Sequence, residues 1–155
     1  MKDRSMRIWI DGDACPGEIK EILFRAAVRA KIPLTIVANQ PMSIPRSEFI
    51  TLLTVLSGLN VADQKIVELV DPTDIVVTAD IPLAALVVEK GAIAIDPRGE
   101  LYTEESIGER LTMRNLMDGL RGGGLISGGP APFRSTDKQV FANQLDRLLT
   151  KRRSK

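Results

Sequence analysis

The chain of 155 residues has no histidine and a single cysteine. Without histidine there is no Ser-His-Asp triad and no Cys-His dyad. A zinc site would find almost no nitrogen or sulfur ligand. One cysteine rules out an internal disulfide, which suits a reducing compartment, and the expected location is the cytoplasm. Aromatic residues are only 4% of the chain, so the core must be aliphatic. No uncharged apolar run is long enough for a transmembrane helix, and the N-terminal MKDRSMRIWID lacks the apolar region of a signal peptide. No membrane partner is therefore expected. The net charge of +1 is unevenly spread: residues 1–97 carry 10 basic and 13 acidic side chains, residues 98–155 carry 11 and 7. Much of that second excess lies in the terminal KRRSK, which reads as a solvated tail. Carboxylates, lysines and one thiol are left to do any chemistry.

With 44% apolar residues there is material for one core. The length favours one domain over residues 1–155, with its core at about 7–149 and a basic tail at 151–155. RIWID (7–11) reads as a short buried strand. Pro16 suits a helix start, and GEIKEILFRAAVRA places Ile19, Ile22, Leu23, Ala26, Ala27 and Ala30 at helical spacing. PLTIVAN (33–39) is a second strand, and QPMSIPRS a loop. FITLLTVLSG is ambiguous: Phe49, Leu52, Leu53 and Leu56 fit a helix, while two threonines and a valine fit a strand. A strand over 50–56 is the expectation. VADQKIVELV (61–70) reads as a helix with Ile66, Leu69 and Val70 inward. DPTD is a turn, DIVVTAD (74–80) a strand, IPLAALVVEKG a helix closed by Gly91, AIAID (92–96) a strand and PRGE a turn. Helices over TEESIGERLTMRNLMDGLR and TDKQVFANQLDRLLTK flank the glycine-rich GGGLISGGPAP (122–132). Strands alternate with helices, which predicts an α/β fold of three layers, α/β/α, around a mostly parallel sheet of four or five strands.

In such sheets, ligands bind outside the carboxyl ends of the strands. There IWID ends in Asp11, TIVAN in Asn39, VVTAD in Asp80 after Thr78, and AIAID in Asp96. Asp13 lies two residues past its strand, and Asp63 near the start of a helix. Carboxylates gathered on one sheet edge would raise each other's pKa by repulsion. A hard divalent cation, Mg²⁺ or Mn²⁺, resolves that conflict with all-oxygen ligands. Each aspartate also has a plainer use as a helix cap: Asp13 for the helix at Pro16, Asp63 for 61–70, Asp80 for the helix that follows it. Asp96 enters a turn, where Asp before Pro is common. Repetition across strands is what favours a shared site.

Other motifs are weaker. Asp11-x-Asp13 after a strand also fits a phosphatase of the haloacid-dehalogenase type, with Asp11 as nucleophile and VVTAD supplying a hydroxyl. That fold needs a lysine and a late acidic pair, and Asp96 stands alone. A Cys-x₅-Arg phosphatase loop at Cys15 fails, because position 21 is Glu; a small buried thiol is the expectation. The glycine run holds no GxxxxGK[ST] and is not a phosphate-binding P-loop. Arg114, Arg121 and Arg134 flank that run and are candidates for phosphate contact.

WIDGDACP, VANQ with a following proline, NVADQKIVELV, DIVVTADIPLA, a glycine before the strand ending in Asp96, and GGPAPF with a later Asp137 and Phe141 occur in this order. Together they resemble the YaiI/YqxD family of bacterial proteins over about residues 7–149. Gly12 departs from that family's more usual Asp-Ala-Asp stretch. The resemblance implies kinship with the PIN-like and NYN-like nuclease folds, which hold one or two divalent metals between strand-end carboxylates and cleave phosphodiesters, mostly in RNA. It implies Asp11, Asp63, Asp80 and Asp96 as catalytic carboxylates, with Asp13 a weaker counterpart beside them. The expected metal ligands are Asp11, Asp13, Asp63 and Asp80. Asn39, Thr78, Arg114 and Arg134 are the expected contacts for single-stranded RNA. Two activities fit this reading, a metal-dependent nuclease or a PIN-like module that binds RNA or protein without catalysis.

Overall fold

The computed structural model describes residues 6–13, 15–56, 61–122 and 134–153. Its five strands are β1 (Ile8–Asp11), β2 (Leu34–Ala38), β3 (Ile50–Thr54), β4 (Ile75–Val77) and β5 (Ile93–Ile95). They form one sheet in the order β3-β2-β1-β4-β5, and every pairing is parallel. All five carboxyl ends therefore open on the same edge. The chain builds outward from β1 to β2 and β3, then returns to the other side of β1 with β4. The switch in winding falls between β1 and β4, the place where an open parallel sheet forms a crevice.

Alternation along the strands sorts side chains between two faces. Ile8, Ile10, Leu34, Ile36, Ile75, Val77 and Ile95 pack with α1 (Gly17–Ala30) and α5 (Ser135–Arg153). Trp9, Val37, Val76 and Ala94 pack with α2 (Val61–Leu69), α3 (Ile81–Glu89) and α4 (Glu104–Gly122). By the same alternation Asp11, Thr78 and Asp96 follow Trp9, Val76 and Ala94, two residues on, and belong to the second face. The three-layer architecture expected from the sequence is the one observed.

Helix α1 begins after Pro16 and ends through Lys31, which takes the left-handed conformation at φ 58°. Gly91, at φ 90°, follows α3, where the missing Cβ suits that conformation. Of the ambiguous 50–56 stretch, Ile50–Thr54 form a strand at the sheet's edge, shorter by two residues than expected, with Thr51 and Thr54 exposed and Leu52 and Leu53 half-buried. The β2–β3 crossover carries no helix. Met42 and Ile44 of that loop pack on the α1 face instead. Two expectations are corrected. Leu69 is 38% exposed, because Ile66 and Val70, four residues apart, share the inward stripe and leave Leu69 to one side. The terminal basic run is not wholly a tail, since α5 continues through Arg153. Residues 123–132 of the glycine-rich stretch lie outside the described residues.

The amino edge of the sheet has its own polar anchor. Asp74, fully buried, accepts hydrogen bonds from the backbone N–H of Arg7 (3.0 Å) and Asp71 (2.9 Å) and from Trp9 Nε1 (3.0 Å). The Arg7 guanidinium pairs with it at 3.3 Å and lies 5.1 Å from the Trp9 ring centre.

Candidate functional site

The carboxyl edge is held together by short polar links across the β1–β4 junction. Asp11 ends β1 and is buried. The Thr78 hydroxyl, also buried, donates to Asp11 Oδ2 at 3.0 Å and accepts the Asp80 backbone N–H at 2.9 Å. One hydroxyl thus ties the carboxylate of one strand to the chain leaving the next. The phosphate contact expected of Thr78 is not free in this arrangement, because both roles of its hydroxyl are taken.

Gly12 lets β1 leave the sheet tightly. Its N–H donates to Val37 O at 2.9 Å, and a Cβ there would come 2.5 Å from Ile36 Cγ2 and 3.2 Å from Val37 O. A side chain at position 12 would therefore meet the Ile36 methyl. Asp13 follows, exposed, and its Oδ2 accepts the Asn39 N–H at 3.1 Å. It fastens the β2 exit instead of capping α1, whose N-cap position is Pro16, without a side-chain cap. Asn39 is half-buried and meets Asp13 through its backbone.

Asp80 takes the capping role the sequence offered it. It is the N-cap of α3, with Oδ1 accepting the Leu83 N–H at 3.0 Å, and it also faces the acidic group. Asp63 lies in the first turn of α2 and is half-buried. Its carboxyl is pushed up to about 7, first by burial, then by the charges of Asp80 and Asp11, a side-chain hydrogen bond with Asp80, and the charge of Asp13. Burial also raises the Asp11 carboxyl; the Thr78 hydrogen bond opposes that rise, and the charges of Asp80 and Asp13 add to it. The charges of Asp80 and Asp13 thus bear on both Asp11 and Asp63.

Asp96 stands in a different setting. Its Oδ1 accepts the N–H groups of Arg98 (2.8 Å) and Glu100 (3.1 Å), and Oδ2 pairs with Arg110 at 3.0 Å. Both oxygens are engaged, so the expected role of Asp96 beside the other carboxylates gives way to an anchor for the 96–100 turn. Gly99 in that turn, at φ 96°, lies against α5: an added Cβ would be 2.8 Å from Phe141 N. Arg98 pairs with Asp137 at 2.8 Å and joins the turn to the start of α5. Arg134 is exposed at that start, its N–H donating to Asp137 Oδ2 at 2.9 Å. The side chains of Arg114 and Arg121 lie outside the described residues. Cys15 is the expected buried thiol, and burial pushes it up to about 12. Two participants escaped the sequence reading. Tyr102 and Arg110 come from the turn and helix after β5, and no spacing rule links them to the strand ends.

The donor set is hard oxygen throughout, which fits Mg²⁺ or Mn²⁺ in type. Among the described residues, no three acidic or cysteine side chains stand where they could hold one ion. The Asp63 carboxyl, raised by burial and then by Asp80 and Asp11, holds its proton more readily than a free one, and ligation would require that proton to leave.

Among the described residues, no helix is long and apolar enough to cross a membrane. The model of the family described as "Uncharacterized BCR, YaiI/YqxD family" matches residues 9–151. Similar proteins include a UPF0178 protein of Shewanella loihica, 59% identical over 146 residues, covering 94% of this chain and 97% of the relative. A UPF0178 protein of Hydrogenovibrio crunogenus is 57% identical over 146 residues with the same coverage. No solved structure matches the chain. By a family match over most of its length and by these relatives, the chain belongs to the YaiI/YqxD family.

Proposed function

We propose that the carboxyl edge of the sheet binds one or two divalent cations, Mg²⁺ or Mn²⁺, and that the protein hydrolyses phosphodiesters of single-stranded nucleic acid, RNA foremost. The observation that carries this reading is the meeting of Asp11 and Asp80 through Thr78 at the winding switch between β1 and β4, where the charges of Asp80 and Asp13 also bear on Asp11 and Asp63. Asp11 and Asp80 would be the principal ligands, and Asp63 and Asp13 would complete the set. A cation held there supplies Lewis acidity and activates water, chemistry for which histidine is unnecessary.

The chain's own residues do the rest. Thr78 fixes the orientation of Asp11 and the exit of β4 together. Asp63, holding its proton up to about pH 7 in the metal-free protein, gives it up when positive charge arrives. Asn39, at the neighbouring strand end, and Arg134 with Arg114 near the glycine-rich stretch would meet the phosphates, and binding should weaken as salt rises.

A second reading is a PIN-like module that binds RNA or protein without catalysis. The lack of three ready ligands among the described residues favours it. The phosphatase reading is set aside, since the VVTAD hydroxyl it would use is committed to Asp11 and to the Asp80 N–H. Labelled single-stranded RNA separates the first two. Wild type should cleave with Mn²⁺ and not with EDTA, and Asp11→Asn and Asp80→Asn should be inactive. Cleavage that survives in either variant or in EDTA comes from a contaminant. RNA binding without cleavage by the wild type would select the binding module.

A further inference from the structure

We propose that Tyr102, seated by Arg110 and Asp96, is a positioning residue that holds the 78–80 segment and through it the carboxylates Asp11 and Asp80. This rests on the reading of that edge as a cation site. Tyr102 is 5% exposed, and its hydroxyl donates to Thr78 O at 3.0 Å. Thr78 is thereby held by every polar group it has. Its N–H donates to Ile95 O at 3.1 Å, its carbonyl accepts from Tyr102, and its hydroxyl donates to Asp11 and accepts from Asp80. A carbonyl just past a strand end has no ladder partner, and burial without one is costly. Tyr102 supplies that partner.

The phenol is itself braced. Its backbone N–H donates to Ala94 O at 3.0 Å, which anchors residue 102 beside β5. The Arg110 guanidinium lies 4.5 Å from the ring centre and is fixed by its pair with Asp96, whose other oxygen is held by the backbone of the 96–100 turn. A strand-end carboxylate, an arginine, a phenol and a threonine thus form one connected line from Asp96 to Asp11. It gives Asp96 a place in the site without direct ligation. Residues that orient metal ligands in this way commonly matter about tenfold to a hundredfold in metal affinity.

Tyr102→Phe removes one hydroxyl and keeps the ring under Arg110. Trp9→Phe is the comparator, because it removes a buried donor, to Asp74, at the opposite edge of the same sheet. Two readouts are taken on each: hydrogen exchange of the Asp80 amide, and the Mn²⁺ dissociation constant by calorimetry at a temperature where all variants are folded. Tyr102→Phe should speed Asp80 exchange about fivefold, the equivalent of one hydrogen bond, and weaken Mn²⁺ about tenfold. Trp9→Phe should lower the Tm and move neither readout. Arg110→Lys, which keeps the charge but loses the planar stack and fork, should shift both in the same direction as Tyr102→Phe. Unchanged Asp80 exchange in Tyr102→Phe overturns the brace whatever the metal does. Faster exchange with unchanged Mn²⁺ affinity also overturns the proposal, by leaving Tyr102 a purely structural residue. Failure of the wild type to bind Mn²⁺ overturns the cation-site reading, and the exchange measurement then decides the brace alone.

Discussion

Asp63→Asn should stabilise the metal-free protein, and it should do so only where the carboxyl would be forced to ionise. In the folded chain that carboxyl is pushed from 3.8 up to about 7, by burial first and by Asp80 and Asp11 next. Below about pH 4 the folded and unfolded chains both keep the proton, and the residue contributes nothing. As pH rises from about 4 to about 7, the unfolded chain releases the proton first, so stability falls; above about 7 the full penalty remains. A move of this size corresponds to about 4 kcal/mol at 1.36 kcal/mol per pH unit. The side chain is only half-buried, and solvent screening leaves roughly 1–2 kcal/mol of it. For a chain of this length that is a rise of about 3–6 °C in Tm. Thermal melts of wild type and Asp63→Asn in EDTA, at about pH 4.5 and about pH 8, measure it. A gain at the higher pH that largely disappears at the lower supports the reasoning. A loss of stability at pH 8, or an equal gain at both, would refute mutual repulsion as the cause.

Gly12→Ala should cost about 1–3 kcal/mol in urea denaturation, because the new methyl must displace the Ile36 side chain or the backbone of β2; an unchanged midpoint would show that this packing yields easily. Asp74→Ala should cost about 3–5 kcal/mol, since it takes the buried acceptor from three N–H donors, while the Arg7 guanidinium keeps its pair with Asp71 at 2.7 Å. It should leave any response to Mn²⁺ intact, and a lost response would mean that the two edges of the sheet are coupled. Cys15 should resist a thiol-disulfide reagent at about pH 8 in the native protein and react fully in urea, as a buried thiol pushed up to about 12 requires. Rapid native labelling would contradict that burial.

Local chemistry made most of the fold legible. The segment RIWIDGDACP announced a strand that stops where its apolar residues stop, and the helix after Pro16 runs over the fourteen residues whose spacing marked it. Edge position is why FITLLTVLSG was ambiguous: with one neighbouring strand and threonines facing outward, it lacks the continuous burial of β1 or β4. Asp80 shows that capping does not take a carboxylate away from its acidic neighbours, because one oxygen caps α3 while its charge still bears on Asp63. Asp96 marks where the sequence misleads. A carboxylate at a strand end looks the same whether it waits for a cation or is held by an arginine fourteen residues later, and only folding brings Arg110 to it. Tyr102 and Asp74 were hidden for the same reason: each acts through a contact across the sheet or its edge, on Thr78 O and from Trp9 Nε1, that no local pattern marks.

The central claim is that the crevice between β1 and β4 is a cation site. A crystal grown with Mn²⁺ and measured at the manganese absorption edge tests it most directly. An anomalous peak is expected at ligand distance from the carboxylates of Asp11 and Asp80, with the Asp63 side chain turned toward the ion. Manganese bound only elsewhere, or an Asp63–Asp80 pair unchanged in saturating Mn²⁺, would contradict it.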